Sequence, residues 1–389
     1  MSALLPTYKP ADLAFERGEG AYLFASDGRR YLDFAAGIAV NSLGHSHPKL
    51  VAALAEQGAK LWHCSNIYRI PGQERLAERL AANSFADRAF FCNSGAEAIE
   101  CGLKMIRKYH DDTGNPGRYR MICCNNAFHG RTLATISAGG QEKHTKGFEP
   151  LVEGFDHVAF GNLNELRAAI TPETAGILVE PVQGEGGVVT ADPNYFRGLR
   201  AVADEFGVLL FFDEVQSGMG RTGKLFAYEW WGVAPDVMAV AKGLGGGFPI
   251  GACLATERAA VGLTPGTHGS TFGGNPLAMA VANAVMDVML RDGFLDNVVR
   301  MGRRLRDRLT RIAGKYPKIV NEVRGLGLLI GLHCGVPNLD LQAKLRERGL
   351  LTATAGDNVV RILPPLIIGE KEADEACAIL EETCAAWAA

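Results

Sequence analysis

The sequence predicts an α/β fold, with a mostly parallel sheet in a large central domain and a smaller α+β domain. Three observations support this prediction. A chain of 389 residues is too long for one simple core, so two domains are expected. From about residue 86 to residue 260, near-continuous apolar strands alternate with helical patterns, which is typical of parallel sheets covered on both faces. A long helical stretch then leads into a mixed C-terminal segment.

The elements follow in order along the chain. Residues 20–35 contain two apolar runs around an Asp-Gly pair, which predicts a hairpin. Strands are predicted at Arg-Ala-Phe-Phe-Cys, Tyr-Arg-Met-Ile-Cys-Cys, Gly-Ile-Leu-Val-Glu-Pro-Val and Gly-Val-Leu-Leu-Phe-Phe. One long helix is predicted from Pro276 to about Ala313. We therefore expect residues 1–45 to join the small domain, 46–278 to form the large domain and 279–389 to form the small domain.

The composition is ordinary for a soluble globular enzyme and argues against several other classes. A net charge of −3 gives no general attraction to nucleic acid or anionic membrane. No apolar run approaches the roughly 20 residues that span a bilayer, and the N-terminus lacks a signal-peptide apolar region, so we expect a cytoplasmic protein. Nine cysteines without regular spacing indicate reduced thiols. His45 and His47 lie in a turn, where histidines are more often structural, so no metal site is expected.

Two charged residues at the ends of apolar strands are the most informative feature. Asp213 ends Gly-Val-Leu-Leu-Phe-Phe, and Lys242 follows Asp-Val-Met-Ala-Val-Ala. Burying either charge is costly without a partner. Pyridoxal phosphate uses both groups at once, because a lysine condenses with its aldehyde and a carboxylate pairs with its ring nitrogen. A solvated loop lysine is the alternative interpretation of Lys242.

Further candidate residues follow other strands, where the ligands of open parallel sheets bind. The stretch Asn93-Ser94-Gly95-Ala96 opens a helix, and its free amides favour a phosphate, although an ordinary N-cap explains it too. Phe128 can stack on a flat ring and Arg131 can grip a carboxylate, or both can be packing and solvated residues. The remaining candidates are Glu180 and Glu185 in a glycine-rich loop, Glu214, Val215 and Gln216 after Asp213, Ser270 and Thr271 in a loop, and Arg361 inside an apolar strand.

A competing motif at residues 218–223 matches the dinucleotide-binding pattern G-x-G-x-x-G. Its context disagrees, because two acids separate the strand from Gly218 and Asp236 follows a proline at the start of the next strand. The same stretch approaches a P-loop, but Leu225 replaces the Ser or Thr that binds magnesium. We therefore expect these glycines to form a tight loop.

Together these motifs resemble the fold-type I, class III aminotransferases, and most closely the acetylornithine aminotransferases. The resemblance runs from about Tyr8 to the C-terminus and rests on seven stretches in family order. They are the run from Asp33 to Pro48, Phe-Cys-Asn-Ser-Gly-Ala-Glu-Ala, Phe-His-Gly-Arg-Thr, Glu-Pro-Val-Gln-Gly-Glu-Gly-Gly, Phe-Asp-Glu-Val-Gln, Ala-Lys-Gly-Leu-Gly-Gly-Gly-Phe-Pro and His-Gly-Ser-Thr-Phe-Gly-Gly-Asn-Pro-Leu-Ala.

The resemblance implies a pyridoxal phosphate site and a role for each matching position. Lys242 would bind the cofactor aldehyde and relay the substrate proton, while Asp213 would pair with the ring nitrogen. The other implied cofactor contacts are Ser94, Gly95 and Ala96 at the phosphate, Phe128 on the ring, Gln216 at the ring hydroxyl, and Glu214 and Val215 between Asp213 and Gln216. Thr271 would reach the phosphate of a neighbouring subunit, which implies a homodimer, and Ser270 would contact substrate.

The resemblance also implies the substrates. Arg131 would hold the carboxylate far from the reacting carbon, and Arg361 would hold the carboxylate next to it. An ω-amine donor lacks that second carboxylate, so Glu185 would pair with Arg361 during the first half-reaction. The implied reaction moves the δ-amino group of N2-acetyl-L-ornithine to 2-oxoglutarate, giving N-acetyl-L-glutamate 5-semialdehyde and L-glutamate in arginine biosynthesis.

The sequence alone is compatible with more than one substrate and with more than one class of protein. Ile38 occupies a position where ornithine aminotransferases tend to carry tyrosine, which weakens free ornithine as a substrate. The stretch from Trp62 to Tyr68 resembles acetylornithine enzymes, although succinylornithine transaminases are nearly as similar. The sequence is also compatible with another ω-amino acid aminotransferase, with a non-catalytic protein on this fold and, less well, with a nicotinamide dehydrogenase.

Overall fold

The computed structural model describes residues 3–388, so residues 1, 2 and 389 of the predicted terminal segments lie outside the described chain. The strands are β1 Phe15–Glu19, β2 Tyr22–Ala25, β3 Arg30–Asp33, β4 Arg88–Cys92, β5 Arg120–Cys124, β6 Phe155–Val158, β7 Thr174–Val179, β8 Val182–Gln183, β9 Val189–Thr190, β10 Leu209–Asp213, β11 Val237–Val240, β12 Gly251–Ala255, β13 Val320–Leu326, β14 Leu329–Cys334, β15 Leu350–Leu351, β16 Ala353–Ala355 and β17 Val359–Ile362.

The helices also follow in chain order. They are α1 Ala36–Ala39, α2 Pro48–Gly58, α3 Pro71–Ala82, α4 Gly95–Asp112, α5 Leu133–Gly139, α6 Glu142–Thr145, α7 Leu163–Ala169, α8 Pro193–Phe206, α9 Glu257–Ala260, α10 Pro276–Met289, α11 Phe294–Lys315, α12 Asn338–Glu347 and α13 Glu370–Ala388. Short 3₁₀ turns cover Ala227–Trp230 and Lys242–Leu244.

The central sheet has seven strands in the order β4-β12-β11-β10-β7-β5-β6. Neighbours from β11 to β6 pair in parallel, whereas β12 runs antiparallel to both β11 and β4. Both β7 and β10 are buried along their whole length, as expected for strands covered on both faces. This arrangement confirms the predicted α/β class with a mostly parallel sheet. The antiparallel strand β12 was not among the predicted strands.

Helix α4 shows how the sequence fixes one edge of the functional region. Its N-cap Ser94 accepts a hydrogen bond from the Glu97 amide at 3.2 Å, and the Glu97 carboxylate accepts one from the Asn93 amide at 2.6 Å. This reciprocal cap satisfies amides on both sides of the helix start. The buried residues Ile99 and Leu103 recur at helical spacing and anchor α4 on the sheet. The start of α4 is therefore held firmly at the end of β4.

Two smaller sheets flank the central one. The predicted hairpin is present as β2 and β3, which pair with β1 and, in parallel, with β15 near the C-terminus. The N-terminal strands therefore pair with a strand of the C-terminal segment, and the domain boundaries predicted from the sequence stay a prediction. The second sheet has the order β13-β14-β17-β16, and a two-stranded ribbon is formed by β8 and β9.

The predicted long helix from Pro276 to Ala313 is wrong in one respect, because the chain forms two helices there. Helix α10 ends at Met289 and α11 begins at Phe294. Between them Gly293 has a φ of +78°, a left-handed conformation that interrupts helical hydrogen bonding and that glycine adopts at low cost. Apolar periodicity continues on both sides of the break, which is why the pattern alone predicted a single helix.

Candidate active site

A cavity of about 320 Å³ opens at the carboxyl ends of the parallel strands. Ligands of open α/β sheets bind at this edge because the loops that follow the strands converge there. The cavity is lined by Val40, Asn93, Ser94, Gly95, Ala96, Phe128, His129, Gly130, Glu180, Asp213, Val215, Gln216, Ala241, Lys242, Gly247, Phe248, Pro249 and Ile250. The structure thus brings together most of the residues predicted to bind a cofactor.

Asp213 is the last residue of β10 and is held by two neighbours. One carboxylate oxygen lies 2.7 Å from Nδ1 of His129, and the other accepts a hydrogen bond from the Val215 amide at 3.0 Å. The second ring nitrogen of His129, Nε2, is buried and has no hydrogen-bond partner within residues 3–388. His129 therefore orients Asp213, a role that sequence reasoning missed although the residue adjoins Phe128 in the quoted motif.

Lys242 follows β11 and begins a 3₁₀ turn with a φ of +39°. This left-handed conformation costs a non-glycine residue about 1–2 kcal/mol, and strain of this kind concentrates at functional sites. Burial lowers the pKa of the Lys242 amine to about 8, with a smaller effect from the charge of Arg361. The carboxylates of Glu185, Asp213 and Glu180 act in the opposite direction. The amine is consequently neutral, and nucleophilic, over a larger part of the physiological pH range than a free lysine.

The start of α4 also lines the cavity. Gly95 and Ala96 are its first residues, and their amides lie at the positive end of an 18-residue helix. Gly95 packs closely on Val215, since a Cβ at this glycine would lie 2.8 Å from Val215 Cγ1. The absence of a side chain leaves the amides open to an anion, which is how helix starts bind phosphate.

The Phe128 ring forms one wall of the cavity, and a buried acid fixes its backbone. The Phe128 amide donates to the Glu180 carboxylate at 3.0 Å, and Glu180 is only 4% exposed. Burial, reinforced by the nearby charge of Asp213, raises the pKa of Glu180 well above its ordinary value. Glu180 was singled out in the sequence only as part of a loop motif.

These groups fit pyridoxal phosphate. The cavity offers a carboxylate at one side, an amine of lowered pKa, an aromatic wall and helix amides suited to a phosphate. Gln216 lines the same space and provides a hydrogen-bonding amide. The donor set is therefore complementary to each end of this one cofactor.

Arg361 lies on β17 with its side chain 2% exposed, and it has three partners. Its Nη1 lies 2.6 Å from a carboxylate oxygen of Glu185 and donates to the Gln216 side chain at 3.2 Å. Its Nη2 donates to the Thr354 carbonyl at 2.8 Å. Glu185, in the loop between β8 and β9, is 25% exposed at its side chain and also borders a second cavity of about 910 Å³. Glu185 thus borders open space while it is paired with the arginine.

Arg131 is exposed beside the Phe128 ring, with its guanidinium carbon 5.2 Å from the ring centroid. Within the described chain its guanidinium forms no hydrogen bond or ion pair. A cation next to an aromatic wall and without an acidic partner is well placed to bind a carboxylate ligand.

The structure does not bring Glu214 into the cavity. Its carboxylate is fully buried and accepts hydrogen bonds from the amides of Ala227 and Tyr228 at 2.7 and 2.8 Å and from the Ser217 hydroxyl at 3.0 Å. Burial raises the pKa of this carboxyl to about 7. Glu214 therefore organises the loop after β10, and the residue pattern alone could not separate this role from cofactor contact.

Ser270 and Thr271 also lie outside the lining of this cavity. The Ser270 hydroxyl accepts hydrogen bonds from the Asn93 side chain at 3.2 Å and from the Gly273 amide at 2.9 Å. Thr271 is exposed. A single chain thus leaves Thr271 available to another molecule and does not place it at its own site.

The described residues offer neither a metal centre nor a membrane span. Among residues 3–388, no cluster of three or more His, Cys, Asp or Glu side chains is suited to a metal ion. In that same range no helix is both long enough and apolar enough to cross a bilayer.

Comparison with known proteins identifies the family. The family model described as "Aminotransferase class-III" matches residues 5–384. An acetylornithine aminotransferase of Mesorhizobium japonicum is 59% identical, covering 96% of this chain and 94% of its own length. One of Agrobacterium fabrum is 56% identical, covering 99% and 97%.

Solved structures agree with this assignment. An ornithine aminotransferase of Toxoplasma gondii superposes with a TM-score of 0.95 at 34% identity, covering 99% of this chain and 93% of its own. An N-acetylornithine aminotransferase of Stenotrophomonas maltophilia has a TM-score of 0.85 at 39% identity, covering 97% of both chains. With the match along nearly the whole sequence and a cavity built for pyridoxal phosphate, this chain belongs to the class III aminotransferases.

Proposed function

We propose that this aminotransferase moves the δ-amino group of N2-acetyl-L-ornithine to 2-oxoglutarate, and so acts in arginine biosynthesis. One observation carries the proposal. Two arginines flank the cofactor cavity and differ in their ion pairing. Arg361 is paired with Glu185, whereas Arg131 has no acidic partner in the described chain. The names of the similar bacterial enzymes support the same substrate.

The unpaired Arg131 binds the carboxylate that both substrates carry at the end away from the reacting carbon. Acetylornithine presents its α-carboxylate there, and 2-oxoglutarate or glutamate presents its γ-carboxylate. Because the guanidinium has no competing partner, either carboxylate can form a two-pronged contact without breaking an existing ion pair. One residue thereby positions both substrates.

The paired Arg361 distinguishes the two half-reactions. The δ-carbon of acetylornithine has no carboxylate, so Glu185 stays on Arg361 and neutralises the buried charge. Glutamate and 2-oxoglutarate have a carboxylate next to the reacting carbon, and it replaces Glu185. Glu185 also borders the second cavity, and we propose that its side chain moves into this space when the substrate carboxylate replaces it.

We propose that the cofactor is held by Lys242, Asp213, Gln216, Phe128 and the amides of Gly95 and Ala96. When bound, pyridoxal phosphate supplies an aldehyde for the amino group and a protonated ring that stabilises negative charge at the reacting carbon. Lys242 would bind the cofactor aldehyde through its neutral amine and would move the proton to and from the substrate carbon. Asp213, oriented by His129, would keep the ring nitrogen of the cofactor protonated.

We also propose that the enzyme is a cytoplasmic homodimer with shared sites. Thr271 is exposed and lies outside the cavity of its own chain, so it is free to contact the phosphate bound by a second subunit. All nine cysteines are free thiols, which agrees with a reducing compartment. Sedimentation of the holoenzyme tests the dimer directly.

A substrate panel tests the proposed reaction. The purified holoenzyme is assayed with acetylornithine, succinylornithine, ornithine and 4-aminobutyrate, each with 2-oxoglutarate as acceptor. The proposal expects acetylornithine to have the highest kcat/KM. A higher kcat/KM for succinylornithine or for 4-aminobutyrate would contradict the proposal and would identify a different ω-amine as the substrate.

A further inference from the structure

A second group of polar residues borders the site next to Arg131, on the short helix α6. The His144 ring packs edge-on against Phe128, with centroids 5.8 Å apart and an interplanar angle of 82°. Arg131 and His144 therefore both contact the aromatic wall of the cofactor cavity. His144 is half-buried, and neither ring nitrogen hydrogen-bonds another side chain or backbone group of the described chain.

The surroundings of this ring are electropositive. Burial lowers the pKa of His144 to about 4, and the charges of Arg131 and Lys143 add to that effect, while Glu185 opposes it. Lys143 is exposed and, within residues 3–388, forms no ion pair. It lines the second cavity together with Glu185. The His144 ring is thus subject to the charges of two cations and of the Glu185 carboxylate.

We propose that His144, flanked by Arg131 and Lys143, is a specificity-determining residue that selects amino donors whose α-amine is acylated. This inference rests on the proposed function, in which Arg131 binds the α-carboxylate of the donor. Because Arg131 and His144 contact the same Phe128 ring, the proposal places the group attached to the same carbon near His144. An acylated amine is uncharged and carries a carbonyl oxygen, which accepts a hydrogen bond from the neutral imidazole.

Free ornithine places a charged ammonium at the same point. Two nearby cations repel it, and the neutral ring cannot neutralise it. Electrostatic repulsion therefore acts against the free amine, whereas an uncharged N-acyl group does not meet it.

The test compares His144→Leu with His144→Gln, because leucine removes the hydrogen-bonding group and glutamine keeps a neutral donor. For His144→Leu we expect KM for acetylornithine to rise about tenfold with a smaller change in kcat, and the acetylornithine-to-ornithine ratio of kcat/KM to fall by a similar factor. His144→Gln should recover most of that ratio. Lys143→Gln should raise kcat/KM for ornithine about threefold.

Lys146→Gln is the matched control for charge, because Lys146 directly follows α6, is exposed and lies outside both cavities. Equal losses for acetylornithine and ornithine in both His144 variants would show a merely structural role and overturn the inference. If the wild-type enzyme does not favour acetylornithine, the proposed function fails and the inference fails with it. If the wild type favours acetylornithine and the ratio is unchanged in His144→Leu, only the inference fails.

Discussion

Glu185→Gln is the most informative single substitution because it removes a charge while keeping the size of the side chain. The Glu185 carboxylate lies 2.6 Å from an Arg361 side chain that is almost fully buried. The other partners of Arg361 are the neutral oxygens of Gln216 and Thr354. In the variant, the guanidinium charge has no counterion until a substrate carboxylate arrives.

The size of the effect follows from this geometry. Unit charges about 4 Å apart attract by about 4 kcal/mol at an effective dielectric constant of 20. Glu185 is 25% exposed, so solvent screens part of that attraction. A loss of about 2 kcal/mol in the δ-amine half-reaction corresponds to a rate about 30-fold lower. The glutamate half-reaction should be unchanged or faster, because the α-carboxylate no longer competes with Glu185.

Single-turnover mixing of the holoenzyme with each amino donor measures the two half-reactions separately, through the visible absorbance of the bound cofactor. Glu142→Gln is the control, since it removes a negative charge from an exposed residue that also borders the second cavity and has no side-chain partner among residues 3–388. Equal slowing of the acetylornithine and glutamate half-reactions in Glu185→Gln would refute the proposed exchange of carboxylates.

Further predictions concern the cofactor end of the site. Lys242→Ala should abolish the visible absorbance of the bound cofactor, and persistence of that band would contradict the role of this lysine. Because folding lowers the pKa of the Lys242 amine from 10.5 to about 8, the rate at which apoenzyme captures pyridoxal phosphate should rise with pH around pH 8, followed by stopped-flow absorbance. For the same reason, the cost of burying the charged amine is present below pH 8 and disappears as the pH rises toward 10.5, so the free energy of unfolding of apoenzyme should increase across that window. Gly95→Ala would place a Cβ 2.8 Å from Val215 Cγ1, so a fluorescence titration should find the Kd for pyridoxal phosphate raised about tenfold. Asp213→Asn should lower kcat by a factor on the order of 100 to 1,000 in steady-state assays, since the ring nitrogen loses its anionic partner, and near wild-type turnover would count against that pairing.

Strong local patterns predicted much of the fold. The apolar runs of β5, β7 and β10 are recognisable because buried parallel strands carry near-continuous apolar side chains. The edge strand β4 has a similar apolar run, although only its last two residues are buried. The strand order and the antiparallel direction of β12 are set by long-range pairing, which no local pattern encodes. The break at Gly293 depends on where the two helices pack, and helical periodicity continues on both sides of it.

The backbone conformation of residues 36–39 is another feature that could not be predicted from the sequence. Ala36, Gly37, Ile38 and Ala39 all have positive φ angles, between 46° and 64°, although such a sequence ordinarily favours a right-handed helix. Asp33 stabilises this turn by accepting hydrogen bonds from the Ala35 and Ala36 amides. The following residue, Val40, lines the cofactor cavity. Such a conformation is fixed by tertiary contacts and cannot be predicted from the helix propensities of its residues.

In the candidate site, too, some residues could be predicted from the sequence and others could not. Lys242 and Asp213 could be found because a charge at the end of a buried strand is anomalous without a ligand. His129 and His144 could not, because their importance comes from what they contact in space, an acid on β10 and the Phe128 ring. Glu214 shows the reverse, since its neighbours in the sequence face the cavity while its own carboxylate binds loop amides.

Transfer of labelled nitrogen tests the central claim most directly. Holoenzyme is given N2-acetylornithine carrying ¹⁵N at the δ-position, then 2-oxoglutarate, and the glutamate formed is analysed by mass spectrometry. We predict that the label appears stoichiometrically in glutamate, and that label at the α-nitrogen stays with the acetylated product. Unlabelled glutamate from the δ-labelled donor, or the absence of any transfer, would contradict δ-amine transamination by this enzyme.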